Sequence, residues 1–351
     1  MTPRPTVRRQ RGAALLLALL IMTLVATLAA GMVWLQWRGI QVETAERARG
    51  QAQWLLNASL DWGNLILKSS IRQGHTEDDL GQPWATPLAE TKLSSFLSAD
   101  GRHSEDSGPE AYLSGQITDA QSKYNLYNLV VPTNGTSIGK NTEIERLQVL
   151  FQAIGVSQDV AITIAAGMRA SDGAQQAVAT PGTQVDPSSV LMPMEVRDLA
   201  WYGVDPKVIK QIEPFVQIIP FTPQQNAGGS NVPQMEINVN TAPAEVLMAG
   251  CPGISRAQAE QLILQRRQQP FNDSARLLSA LKGNNNTAPL PCEAANGHPG
   301  DILNIKSFYF EIYGQLRYEQ HVIRERSIIY RKDQFSPVQV LRRERLPPDA
   351  T

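Results

Sequence analysis

Catalysis and metal binding require particular side chains at particular spacings, and this chain of 351 residues offers few of them. The four histidines, His75, His103, His298 and His321, are scattered. None stands at ligand spacing from another, so no zinc site follows. There is no Gly-x-Ser-x-Gly, phosphate-loop or dinucleotide fingerprint, and no Ser/His/Asp arrangement that would activate a nucleophile. Calcium needs only hard oxygen ligands, and Asp172, Asp186 and Asp301 fall in expected loops, where each also reads as an ordinary turn residue. The two cysteines, Cys251 and Cys292, suit one bridge in an oxidising compartment. Such a bridge would close a long loop and stabilise by roughly 3 to 4 kcal/mol. A reactive thiol is the alternative, although neither a neighbouring His nor a Cys-x-x-Cys pair supports it.

These residues point away from an enzyme and toward the elements that carry them. Apolar residues make up 42% and charged residues 19%, which fits folded units and excludes both a wholly disordered chain and a polytopic membrane protein. Residues 13–37 carry no charge and are mostly apolar, long enough as a helix to cross a bilayer and too long for a secretory signal peptide. Arg4, Arg8, Arg9 and Arg11 precede that run, so the positive-inside rule puts the amino end in the cytoplasm and the bulk of the chain outside. With those four set aside, the 32 basic residues no longer match the 33 acidic ones. A net acidic remainder argues against general nucleic-acid binding. Helical periodicity continues through Val42, Ala45, Leu55, Leu56, Leu60 and Leu67, so one helix is expected from Ala13 to about Ile71.

The junction Gln10-Arg11-Gly12-Ala13 resembles a type IV prepilin leader. That resemblance implies cleavage by a prepilin peptidase after Gly12 and N-methylation of Ala13, with the apolar helix retained. Most pilins and pseudopilins carry Glu at the fifth mature position, where this chain has Leu17. A carboxylate buried in lipid without a partner is costly, so a subunit with no neighbour above it has no use for that Glu. The departure marks Leu17 as a sign of a filament tip.

Beyond the helix, residues 72–109 read as a loop region with a short element near Leu93–Leu97. Residues 112–117 alternate as a strand, and the Asn-containing segment 125–129 follows a turn. Residues 141–220 read as short helices around a Gly/Pro/Thr-rich connection from Gly173 to Pro187. The segment 237–281 reads as helix, Pro-Gly-Ile turn, helix, with Thr241 as a cap and Ala257, Ile263 and Leu264 buried. Three strand-like runs between Ser307 and Leu346 complete an antiparallel meander, with the arginines of the second and third runs pointing outward.

The segment ITDAQSKYNLYNLV, with Tyr127 where Asn is usual, and the elements Asn238-x-Asn240-Thr241-Ala242-Pro243 and Pro252-Gly253-Ile254 resemble the K-type minor pseudopilins of type II secretion. The acidic loop element of that family has no counterpart at Gly167–Asp172, which removes the family's reason for a metal there. The resemblance implies an α+β, pilin-like fold: a long amino-terminal helix packed on an antiparallel sheet, with an inserted all-α domain of helix-hairpin-helix or SAM-like type. The expected segments are leader 1–12, membrane part of the helix 13–37, first pilin-like part 38–135, helical insert 136–300 and β-meander 301–351. It further implies a non-enzymatic subunit, single-pass in the bacterial inner membrane and periplasmic in its bulk. Such a subunit caps the pseudopilus with the I- and J-type minor pseudopilins and supports export of folded proteins across the outer membrane. The H-type pseudopilin, secreted substrates and the outer-membrane secretin are further candidate partners, and calcium is the one candidate cofactor. The alternative is a membrane-anchored periplasmic DNA-binding protein using the helix-hairpin-helix, since such hairpins bind phosphate through backbone amides.

Overall fold

The structure, a computed structural model, describes residues 11–72, 74–92, 111–130, 137–179, 191–220, 234–282, 292, 302–318, 321–333 and 336–347. The leader before Arg11, the element near Leu93–Leu97, and Asp186, Asp301, His103 and His298 lie outside the described residues. The chain forms two compact units, residues 1–58 and 59–351.

Helix α1 (Arg11–Arg72) begins in the first unit and ends in the second. No proline interrupts it, and its glycines are isolated, so nothing in the covalent chain forces a break. In the first unit the apolar residues from Ala13 to Trp37 are all exposed to the surroundings. Thr23 and Thr27 return their hydroxyls to the carbonyls of Leu20 and Leu24 at 2.9 Å, which satisfies the polar groups inside the apolar run. Arg38, the first charge after the run, lies over the Trp34 ring at 5.7 Å.

In the second unit, Leu60, Gly63 and Leu67 of α1 form a buried stripe at spacings of three and four. That stripe meets an antiparallel sheet of five strands: β1 (Leu88–Lys92), β2 (Ala111–Asp119) and, after the helical layer, β7 (Tyr309–Tyr318), β8 (His321–Tyr330) and β9 (Gln339–Leu346), in that order across the sheet. Leu67 packs with Trp84, Ile117, Phe310, Ile312 and Ile329, and the Trp84 and Phe310 rings meet edge to face at 5.2 Å.

The helical layer interrupts the sheet between β2 and β7. It comprises β3 (Tyr124–Asn125), α2 (Ser137–Ala153), α3 (Gln158–Ala179), α4 (Pro206–Ile212), β4 (Val216–Gln217), β5 (Ile237–Asn238), α5 (Ala244–Gly250), α6 (Arg256–Gln268), α7 (Ser274–Lys282) and β6 (Leu303–Asn304). β3 pairs with β4, and β5 with β6, as two short parallel ladders, so the insert is not purely helical. The sheet resumes with β7 (Tyr309–Tyr318), β8 (His321–Tyr330) and β9 (Gln339–Leu346).

Several expectations change on tertiary grounds. Residues 88–92, read as loop, form edge strand β1, because pairing with β2 supplies what their short pattern lacks. Gly167–Asp172, read as loop, lies inside α3, which continues to Ala179 through the segment expected to be a connection. Gly167 serves packing: a Cβ there would fall 2.5 Å from the Tyr202 ring, and the Tyr202 hydroxyl lies 2.8 Å from Ser171 Oγ. Helix α6 buries Ala259 and Leu262, not Ala257 or Leu264; Ile263 is half-buried and Leu264 is 58% exposed. Thr241 caps nothing, since Pro243 occupies the N-cap of α5. The arginines of the meander do not all face solvent: Arg326 pairs with Glu311, Glu344 and Glu195, and Arg331 is buried.

Candidate functional site

Two of the sequence elements that carry the family resemblance, the Asn-containing segment after β2 and Asn238-x-Asn240-Thr241, converge on one buried polar junction between the sheet and the helical layer. At its centre is Asp119, the last residue of β2, 4% exposed. Its Oδ1 accepts from the Gln121 N–H at 2.8 Å, and its Oδ2 accepts from Asn238 Nδ2 at 2.9 Å, Thr241 Oγ1 at 2.5 Å and Ser307 Oγ at 2.6 Å. Asn238 Nδ2 also reaches the Asp78 carbonyl, 2.9 Å away. One carboxylate thus ties together segments far apart in the chain, and its donors come from short side chains with little freedom to lose.

Around this centre, three asparagines act as pieces of strand. Asn125 pairs its amide with both backbone groups of Ile219, Asn128 with both of Met235, and Asn240 with the N–H and carbonyl of Phe271, all at 2.9 to 3.0 Å. A side-chain amide presents donor and acceptor like a peptide unit, so each pair replaces a ladder rung where no strand can run. Asparagines in turns commonly bond nearby backbone, and Asn125 does accept from the Tyr127 N–H at 3.2 Å, but the long-range pairs dominate. The signal that could have revealed them is the exclusive use of Asn, since an Asp cannot donate.

Two further tethers flank the centre. Arg331 holds Asp78 with both carboxylate oxygens at 2.7 and 2.6 Å and donates to the carbonyls of Leu67 and Ser307 at 2.9 Å. Arg266 donates to the carbonyls of Val239 at 2.5 Å and Ala242 at 2.6 Å. Burial, together with the neighbouring Arg267, brings Arg266 down to about 10. Tyr124 donates to Glu143 at 2.7 Å in the core, and burial followed by the Glu143 charge pushes its pKa well up. Cys251 and Cys292 are bonded, with Cα atoms 4.9 Å apart, both inside the helical core.

Burial pushes the Asp119 carboxyl up to about 6, and the charge of Asp78 adds to it, against the pull of Ser307, Thr241 and Gln121. An unfolded Asp titrates near ~3.9, so between those values the native state holds a proton that the unfolded chain has released. This contribution to stability therefore grows as pH falls from 7 toward 4, on the order of 2 to 3 kcal/mol. Urea unfolding of residues 38–351 should show it: the gap between the parent and Asp119→Asn shifts in the parent's favour over that window. A gap that stays flat with pH would mean that the four donors hold the carboxylate charged.

Gly12 and Ala13 lie in the first turn of α1, and Leu17, four residues on, is 63% exposed. Asp172 lies on α3, its charge felt by Tyr127. Among the described residues there is no group of three His, Cys, Asp or Glu side chains that would hold a metal. The basic residues of the hairpin region are largely engaged within the fold: Arg256 pairs with Glu245 at 2.8 Å and Glu260 at 3.1 Å, Arg266 is turned inward, and Arg276 donates to the Pro270 carbonyl at 3.2 Å. That disposition does not favour phosphate binding.

The family described as "Type II secretion system (T2SS), protein K" matches residues 237–291, the stretch that contains Asn238, Asn240 and the hairpin. The Type II secretion system protein K of Pectobacterium carotovorum subsp. carotovorum is 26% identical over 352 residues, covering 96% of each chain. The protein of the same name from Aeromonas hydrophila is 24% identical over 332 residues, covering 88% of each. Among solved structures, the GspK-GspI-GspJ complex of the enterotoxigenic Escherichia coli type 2 secretion system holds a chain that matches with a TM-score of 0.58 at 16% identity, over 86% of this chain and 98% of that one. The resemblance carried by the Asn-rich segment, the Asn-x-Asn-Thr-Ala-Pro element and the apolar helix thus extends over nearly the whole sequence: this chain is similar to the K proteins of type II secretion systems and shares their fold.

Proposed function

We propose that the chain is a K-type minor pseudopilin, a non-enzymatic subunit that caps the pseudopilus tip together with I- and J-type minor pseudopilins. The observation that carries the reading is the way an apolar helix passes, without a break, into the stripe under an antiparallel sheet that itself holds a large helical insert. The apolar part has no protein neighbours, as suits a helix solvated by lipid or by other helices. The insert adds bulk that hinders a further subunit from stacking above it, and Leu17 removes the carboxylate that would greet one. Leader removal after Gly12 leaves Ala13 as the first residue, and the arginines before it hold the amino end in the cytoplasm. Export of folded proteins follows from growth of the fibre beneath this cap, while calcium enters no step of the proposal.

Co-expression of the full chain with a prepilin peptidase tests the processing step. Intact mass should fall by the first twelve residues, offset by the gain of one methyl, and Gly12→Val should abolish the loss. Co-purification with I- and J-type partners tests assembly. Unchanged mass together with no partner association would remove the proposal.

A further inference from the structure

The outward face of the sheet carries a row of charges where the helical layer crosses it. Arg326 of β8 is registered opposite Glu344 of β9, bonds it directly, and reaches Glu311 of β7 at 3.5 Å. Against this row lie residues 194–202, between α3 and α4, most of them in a short 3-10 helix (Val196–Tyr202). Glu195 Oε2 is 3.8 Å from Arg326 Nη2, the nitrogen that also holds Glu344 Oε1, so two carboxylates bracket one cation. Arg342 of β9 donates to the Met194 carbonyl and lies 3.9 Å from Glu344 Oε2. Within the segment, Arg197 reaches Glu195 at 2.6 Å, and Asp198 Oδ2 accepts from the N–H groups of Met194 and Glu195 at 3.1 and 2.9 Å. The Glu195 and Glu344 side chains are only 15% and 19% exposed, whereas Arg197, the cation closest to Glu195, is 75% exposed and so screened by water. Burial raises Glu195 above its ordinary value, and a hydrogen bond to Glu344 and the charge of that residue raise it further, against Arg197 and Arg342. Glu344, which burial alone would raise, is held low by the hydrogen bond from Glu195 and by Arg326 and Arg342.

We propose that Glu195 and Glu344 share one proton and form a pH-sensitive latch, which holds residues 194–202 on the sheet in acid and releases them as that proton leaves. With the proton in place, Glu195 donates to Glu344, whose remaining charge Arg326 and Arg342 balance. Once it is lost, two partly buried carboxylates face each other. Because the native state holds the Glu195 proton more tightly than an unfolded Glu at ~4.3, the contribution is complete at low pH and disappears as pH rises through the folded value. The rest of the helical layer stays seated, since Ile219 and Met235 pack on Tyr309, Ile328 and Tyr330 of the same face by apolar contact.

Hydrogen exchange of the full chain in detergent, corrected for the intrinsic pH dependence of amide exchange, tests the latch. Between pH 5 and pH 8 the protection of peptide 194–203 should fall roughly fivefold or more relative to peptides of α2 in the same sample. Glu195→Gln places a permanent donor against Glu344 and should keep that fall below about twofold. Glu344→Gln, whose amide can donate to an ionised Glu195, should do the same. A smaller fall in the parent overturns the latch. So does a larger fall in either variant, which would assign the pH effect to another group such as Asp119. Should one variant fail to fold, the other decides.

Discussion

Replacing Arg331 with Met should destabilise residues 38–351 by about 3 to 5 kcal/mol, the largest single effect expected outside the hydrophobic core. Arg331 is 2% exposed and Asp78 is 4% exposed, and the guanidinium stacks 4.5 Å above the Phe310 ring. The substitution keeps much of the apolar volume, so the loss comes from a carboxylate left buried with no counter-charge, and from the carbonyls of Leu67 and Ser307 losing a donor. These groups belong to the last turns of α1, to the segment before β7 and to the loop that follows α1. The pair therefore fastens the end of the long helix to its sheet. Removing both charges in Asp78→Leu/Arg331→Met should recover more than half of the loss, because the penalty lies in the unpaired charge. Urea midpoints of the parent and the two variants decide: a single-variant loss below ~1 kcal/mol would show that the pair only breaks even.

Reduction of the Cys251–Cys292 bond is the second large effect. With a sequence separation of 41, the chain-entropy relation gives about 4 kcal/mol of stabilisation through restriction of the unfolded chain. Both cysteines sit in the helical core, next to the end of α5, whose last carbonyls accept from the buried Arg146. Cys251→Ser/Cys292→Ser, or treatment with a dithiol, should lower the unfolding free energy by 2 to 4 kcal/mol. Hydrogen exchange should rise first in α5 and α6 and last in β7 and β8, which share no core residues with the cysteines. Uniform exchange with an unchanged midpoint would show that the bond constrains nothing that unfolds.

The helix α1, the strands β2, β7 and β8, the hairpin around Gly253 and the family resemblance are all legible in the linear order of residues. The elements rest on a repeating pattern or a local turn, namely a long uncharged run, alternation, or the glycine of Pro-Gly-Ile, and the resemblance rests on its own motifs; the structure gives Gly253 a φ of 104°. Such signals need no knowledge of neighbours. Strand β1 carries too short a pattern to declare itself, and only its partner β2 makes it a strand. Of the expected face of α6 only Ile263 packs on the core, beside the buried Ala259 and Leu262, because the periodicity of this helix is weak and polar residues surround it, so the choice falls to what α5 and α7 offer.

The junction shows the same division more sharply. That Asn125, Asn128, Asn238 and Asn240 belong to one motif set is visible along the chain, and it suffices for recognition. What they do is not visible there, because each bonds a backbone group between 31 and 160 residues away. Asp119 looks like any strand-ending acid until the fold brings Thr241, Asn238 and Ser307 to it and removes water. Arg331 looks like a solvated strand end until Asp78 arrives beneath it. Sequence alone determined the local elements and carried the motifs by which the chain resembles the K proteins, since periodicity and turn chemistry act over a few residues. The tertiary structure alone decided which polar groups are buried and paired, since hydrogen bonds and desolvation depend on distance in space and not along the chain.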